Sequence, residues 1–318
     1  MTQLCDYLYQ GSGGTIGDLL LSSHSVRHLA YFHKISVAIP QSLRQELKDL
    51  YTRHKFLTNI EELDDATFFD STKFKLYAAN KNYCPIVYLK DIWFLKDITF
   101  CNLNEWFDLQ EKPTIDFSKC IGTHICSSSN WNRPTIPHVK LWLQRIQASN
   151  FKPYFFGTKK DEELLMSLYP EIKSWFTFEE DYWRFGKDSI LQTMANISGM
   201  HGLIVFSSWS AYAAILQGVP VVELWNERQW QFYSPLVNRM LGGPVHYVAA
   251  SYKEEPNPYL FTEIFAGLKS RYQAIHLDST SLSNNIVHPV STFSILFLFA
   301  ILAKCICSSS IIMISYLS

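Results

Sequence analysis

A chain of 318 residues is about twice the length of a typical domain, so two domains are expected. Hydrophobic residues at 47% and charged residues at 18% exclude a disordered chain, and a formal net charge of -1 removes the electrostatic case for a nucleic-acid partner. The seven cysteines (Cys5, Cys84, Cys101, Cys120, Cys126, Cys305, Cys307) are odd in number and scattered, which argues against a disulfide framework. Residues 1–10 lack the basic-then-apolar order of a secretory signal, so the bulk of the chain reads as cytoplasmic.

In chain order, residues 7–10 read as a strand. It feeds Gly11-Ser12-Gly13-Gly14-Thr15-Ile16-Gly17-Asp18, where four glycines in seven residues mark a tight turn of close approach. Leu19, Leu20, Leu21, Val26, Leu29, Ala30 and Phe32 then recur at roughly helical spacing, and residues 35–40 read as the next strand, closed by Pro40. Residues 41–51 look helical, and 66–69, 74–77 and 86–89 are expected as strands. The segment 108–117 turns polar around Pro113, as interdomain connections do. It divides an N-terminal domain, 1–115, from a second domain, 116–285.

The second domain restarts the alternation. Strands are expected at 121–126, 153–156, 203–206 and 219–224, with helices at 137–148, 161–168, 189–200 and 210–217. This order implies a parallel sheet in each half with helices on both faces, and ligands at the C-terminal ends of the strands. From residue 286 to 318 there is no acid, and Lys304 interrupts the apolar run before the roughly 20 residues that a spanning helix needs. A tail anchor with a snorkelling Lys304, an interfacial segment in peripheral membrane contact and a non-native extension all fit this tail.

Three stretches carry candidate chemistry. The glycine stretch misses the dinucleotide spacing GxGxxG by one residue, and Asp18 stands where a P-loop has Lys. What remains is a backbone approach by Gly13, Gly14, Thr15 and Gly17 plus a carboxylate at a helix start. Asp18 either caps that helix or accepts a proton from a hydroxyl nucleophile. Ser207, Ser208 and Ser210 sit between a strand and a helix, where they either cap the helix or bind an anion such as a diphosphate. Arg133, in a polar loop after the strand at 121–126, is either solvated or a planar fork for phosphate oxygens. Glu223 and Asn226, at and after the end of the last expected strand of the second half, are candidates for ribose or sugar hydroxyls, beside Trp225 and Trp230, which either stack on a ring or pack an interface. The histidines show no metal-ligand spacing, so no metal site is argued.

Together these pieces resemble the heptosyltransferases, glycosyltransferase family 9, from Gly13 to about Val248. The match is strongest at Ile16-Gly17-Asp18-Leu19-Leu20-Leu21, at Tyr154 to Thr158 with Asp161-Glu162, and at Leu203 to Val222. The resemblance implies an α/β fold of GT-B type, with two Rossmann-like domains facing each other across a cleft. It implies Asp18 as the base for an acceptor hydroxyl and Arg133 as a contact to the donor diphosphate. The nucleotide-sugar would be a co-substrate, the acceptor a glycan or lipid-linked sugar, and no metal or other cofactor would be needed. Ser207-Ser208-Trp209 stands where the family has Asp-Ser/Thr-Gly, and Tyr212 where it has His. Three readings follow: an inverting glycosyltransferase, a GT-B-type nucleotide-sugar epimerase, and a nucleotide- or sugar-binding protein without catalysis.

Overall fold

Alternation of apolar residues along short strands sets the architecture. It is seen in a computed structural model that describes residues 6–12, 14–87, 103–125, 134–206, 208–225 and 245–249. The first sheet is built from β1 (Tyr7–Gln10), β2 (Ile35–Pro40), β3 (Asn59–Leu63) and β4 (Cys84–Ile86), parallel throughout in the order β3-β2-β1-β4. Helices α1 (Ile16–Ala30), α2 (Gln45–Thr52), α3 (Asp65–Phe69) and α4 (Ser71–Asn80) fall between its strands, and α5 (Leu103–Trp106) comes after them. The second sheet holds β5 (Cys120–His124), β6 (Lys152–Phe155), β7 (Gly202–Phe206), β8 (Val221–Trp225) and β9 (Val245–Ala249), parallel in the order β6-β5-β7-β8-β9. Its helices are α6 (Ile136–Ala148), α7 (Lys159–Leu168), α8 (Ile190–Ser198) and α9 (Trp209–Leu216). Two Rossmann-like α/β halves result.

Because side chains alternate along a strand, each sheet feeds two cores. Leu8, Ala38 and Leu63 pack with Phe68, Phe74 and Ala78 of α3 and α4 on the outer face of the first sheet. Ile121, Phe155, Ile204, Phe206 and Val222 pack with Val139, Trp142, Leu143 and Leu165 of α6 and α7 on the outer face of the second. The residues between them in sequence, Tyr9, Ile35, Val37 and Ile39 from one sheet and Tyr154, Leu203, Val205 and Val221 from the other, join a single middle core with α1, α2, α8 and α9. Strands buried on both faces are what parallel sheets require.

At the centre of this middle core α1 packs directly against α9, whose Ala211, Ala213 and Ala214 are fully buried and present little bulk. Gly17 at the start of α1 lies on the Tyr212 ring: a Cβ there would stand 3.5 Å from it and 3.9 Å from Trp209 Cα. Gly11, just after β1, is tighter. A Cβ on it would come within 2.8 Å of the Tyr51 hydroxyl and 3.0 Å of the Ala38 carbonyl.

The first half differs from the sequence expectation at three places. Residues 66–69 and 74–77, expected as strands, lie in α3 and α4. Asp64 accepts from Thr67 N at 2.9 Å, and Asp70 accepts from Thr72 N and Lys73 N at 2.9 and 3.2 Å, so two aspartate N-caps outweigh the aromatic content that suggested strands. β3 was not expected, because Asn59-Ile60-Glu61-Glu62-Leu63 lacks an apolar pattern. It is an edge strand, and Glu61 and Glu62 face Tyr77 and Lys48 rather than a core. The strand expected at 86–89 begins earlier, at Cys84, in register with β1, and residues 88–89 lie outside the described residues.

The connection at 108–117 is held at both ends. Asp108 N donates to the Arg53 carbonyl and Arg53 pairs with Glu111, both at 2.8 Å. From Lys112 onward the partners change: Gln192 of α8 donates to the Lys112 carbonyl at 2.7 Å, and Thr114 N donates to the buried Asn196 at 3.1 Å. The expected tail at 286–318 lies outside the described residues, and among the described residues no helix is long and apolar enough to cross a membrane.

Behind the same connection sits His54, packed edge-on against Phe107 and accepting from Phe56 N at 3.2 Å through Nδ1. Burial holds its pKa down at about 3, whereas the unfolded chain titrates near 6.5. Above about pH 6.5 neither state binds the proton; as pH falls toward 3 only the unfolded chain takes it up, so stability drains away. Between about pH 7.5 and 5, wild type should lose roughly 2 kcal/mol more than His54→Leu in urea unfolding, and equal slopes would remove His54 as the source.

The two glycine contacts give a paired expectation. Gly11→Ala should cost about 1–3 kcal/mol, because a buried hydroxyl and a backbone carbonyl must both give way. Gly17→Ala should shift stability by less than about 1 kcal/mol, since 3.5 Å is ordinary contact and alanine favours the helix. The urea midpoints of the two variants decide it.

Candidate active site

In both sheets the chain reverses its direction of growth beside the first strand. β1 sits between β2 and β4, and β5 between β6 and β7, so each has a topological switch point at the C-terminal ends of these strands. Such edges are where open α/β sheets bind ligands.

At the first switch point the loop after β1 folds on itself. Ser12 N donates to the Tyr51 hydroxyl at 2.6 Å, and the Ser12 hydroxyl accepts from Thr15 N at 2.9 Å while donating to the Thr15 carbonyl at 2.7 Å. Tyr51 is buried, which pushes its pKa well up, with the Asp18 charge acting in the same direction, so it stays a neutral phenol. The Tyr9 hydroxyl is buried near it and is pushed up likewise, first by desolvation. Gly14 takes φ +146°, and no atom of the described residues lies within 4 Å of where its Cβ would be.

The N-cap of α1 is Thr15, not Asp18. The Thr15 hydroxyl accepts from Asp18 N at 3.3 Å and donates to Asp18 Oδ2 at 2.5 Å. Asp18 is exposed, on the first turn of α1. One carboxylate oxygen is thus fixed by Thr15.

At the second switch point, the C-terminal edge of the second sheet carries polar side chains on its middle-core face. His124, the last residue of β5, is buried and stacks on Phe156 at 5.3 Å and 13°, with the Trp209 ring edge-on. Burial lowers its pKa, and Asp161 on α7 opposes that shift. His124 Nδ1 lies 3.3 Å from the Ser210 hydroxyl, which lies 2.8 Å from the Ser208 hydroxyl. Ser208 occupies the N-cap position of α9, yet its side chain makes no capping hydrogen bond, and the first turn of α9 holds no acid. Glu223 is fully buried on β8, paired in register with Val205.

α7, by contrast, is closed by a complete capping box. Thr158 accepts from Asp161 N at 3.2 Å, and Asp161 accepts from Thr158 N at 2.7 Å. In the Tyr154 to Glu162 stretch Asp161 thus caps the helix, and Glu162 accepts from Trp183 Nε1 at 2.5 Å.

Of the residues singled out in the sequence, Gly14, Thr15, Gly17 and Asp18 stand at the start of α1, and Ser208, Ser210 and Tyr212 at the start of α9. The contact of Gly17 with Tyr212 and Trp209 brings these two helix ends together. Glu223 lies on the same sheet face as His124. Gly13, Arg133, Ser207 and Asn226 fall outside the described residues. Sequence reasoning missed His124 and Tyr51. His124 closes a strand just before a serine-rich loop, which is the one signal that marked it; Tyr51 carried none.

No protein-family model and no curated protein sequence matches the chain. Solved structures do. A glycosyltransferase family 9 protein from Veillonella parvula is similar at 13% identity and TM-score 0.55, covering 89% of this chain and 98% of that one. E. coli ADP-heptose LPS heptosyltransferase II is similar at 13% identity and TM-score 0.55, over 85% of this chain and 99% of its own. E. coli heptosyltransferase WaaC with ADP is similar at 9% identity and TM-score 0.54, over 82% and 99%. Over most of its length, then, the chain has the GT-B fold of the family 9 heptosyltransferases, two Rossmann-like domains each built on a parallel sheet.

Proposed function

We propose that the protein is a glycosyltransferase that moves a sugar from a nucleoside-diphosphate donor to a hydroxyl of a glycan or lipid-linked acceptor. The observation that carries this reading is the meeting of the α1 and α9 starts at Gly17 and Tyr212. One helix end offers a carboxylate, the other a set of hydroxyls without an acid.

In this mechanism Asp18 takes the proton from the acceptor hydroxyl as that oxygen attacks the anomeric carbon. Thr15 holds Oδ2 by a hydrogen bond, which leaves Oδ1 to receive the proton. The diphosphate leaves from the opposite face, so a single displacement inverts the anomeric centre. Negative charge building on the diphosphate is met by the α9 N-terminus and the Ser208 hydroxyl, which the buried Ser210 hydroxyl backs at 2.8 Å, an arrangement set before the reaction begins. Tyr212 packs on Gly17 and contributes the shape of the junction. Arg133, Ser207 and Asn226 belong to the same proposed donor site, and Gly13 to the acceptor loop. The relation of fold to WaaC, which was solved with ADP, supports a nucleoside diphosphate as the ligand class.

The test is a panel of nucleotide-sugars incubated with and without acceptor sugars, for wild type and Asp18→Asn. Transfer should need the acceptor and fall by about 10²–10⁴ in the variant, while nucleoside-diphosphate affinity stays within about twofold. Donor conversion without acceptor would mark an epimerase instead, and undiminished transfer by Asp18→Asn would remove it from the mechanism.

A further inference from the structure

We infer that His124 is a positioning residue of the donor site, acting through Ser210 to turn the Ser208 hydroxyl proton toward the leaving diphosphate. This inference rests on the donor reading of α9 given above.

Proton counting carries it. Ser208 and Ser210 each have one hydroxyl proton and lie 2.8 Å apart, so one must donate to the other. If Ser208 donates to Ser210, its proton is spent and its lone pairs face the site, where they repel an anion. If Ser210 donates to Ser208, the Ser208 proton is free for a phosphate oxygen, but the Ser210 oxygen then needs a donor. His124 Nδ1, 3.3 Å away, is that donor when it carries a proton. The direction of the chain is thus set at the imidazole.

The ring is held where this requires. It stacks on Phe156, meets the edge of Trp209 and is buried, so its freedom to turn away is small. It closes β5 on the middle-core side: Gly122, two residues earlier on the same face, approaches Met200 and Leu203. The acidic groups on neighbouring elements are Asp161 of α7, whose charge acts on the ring, and Glu223 of β8 on the same sheet face.

A consequence follows for pH. Neutral imidazole can place its proton on either nitrogen, whereas imidazolium donates from Nδ1 without choice. Desolvation lowers the His124 pKa below the usual 6.5, and a bound anion favours the protonated ring, so affinity for a diphosphate should rise as pH falls.

The experiment titrates ADP, with UDP and GDP in parallel, into wild type, His124→Asn, His124→Leu and Ser210→Ala by calorimetry from about pH 8 to 5.5. Asparagine keeps a donor near the Nδ1 position but does not titrate. At about pH 7, His124→Leu and Ser210→Ala should bind about tenfold more weakly and His124→Asn within about threefold of wild type. Wild type should gain affinity toward acid relative to His124→Asn; the titration of the nucleotide's own phosphate, near pKa 6, is common to both and cancels. Ser210→Ala removes a single oxygen and keeps the test valid if His124→Leu does not fold. Wild-type affinity and pH profile in Ser210→Ala and His124→Asn would overturn the role of His124 while leaving the donor reading intact. Absence of binding by wild type to all three diphosphates would end both.

Discussion

Everything else in the molecule depends on the packing of α1 against α9 in the layer between the two sheets. Each sheet is apolar on both faces, so two outer helix layers cannot cover them; the inner faces need a shared middle. Leu19 and Leu20 of α1 and the buried alanines of α9 supply it. Small residues on α9 permit the close approach, and the Tyr212 ring settles on the first turn of α1 at Gly17. Because α1 follows the C-terminal end of β1 and α9 follows that of β7, packing them together also delivers both N-termini to one place. The demand for burial thereby assembles the candidate site.

Much of this was legible in the sequence. The glycine loop, the strands Tyr7–Gln10 and Ile35–Pro40, and the repeated strand-helix order of the second half follow from glycine clusters and apolar runs read against element length. The failures have physical causes. Glu61 and Glu62 disguise β3 because an edge strand satisfies its side chains with Tyr77 and Lys48 instead of a core. Phe68, Phe69 and Phe74 suggested strands, yet Asp64 and Asp70 had already committed those segments to helices by binding their leading amides. Local hydrogen bonding won over aromatic content.

The site divides along the same line. Asp18, Ser208 and Ser210 stand out because they interrupt apolar helices at their starts. His124 and Tyr51 do not, since each acts on a partner far away in the chain: Ser210 lies 86 residues from His124, and Ser12 lies 39 from Tyr51. Only the strand register, which pairs His124 with Val205, puts the imidazole on the face where α9 begins. No periodicity within a segment carries that information.

The two helix ends at the junction are also unlike in charge. α1 carries Asp18 in its first turn, fixed by the Thr15 hydroxyl, so its positive end already has a carboxylate of the chain's own. α9 has no acid in its first turn, and the Ser208 side chain is directed to Ser210 rather than to the leading amides. Burying His124 and Ser210 within a largely apolar layer costs desolvation that apolar residues of similar size would avoid. Polar groups gathered at one edge of that layer, beside a helix end lacking its own anion, suit a negatively charged ligand there. The carboxylate on the neighbouring helix end suits a proton acceptor. A reaction that releases a diphosphate while deprotonating a hydroxyl uses both.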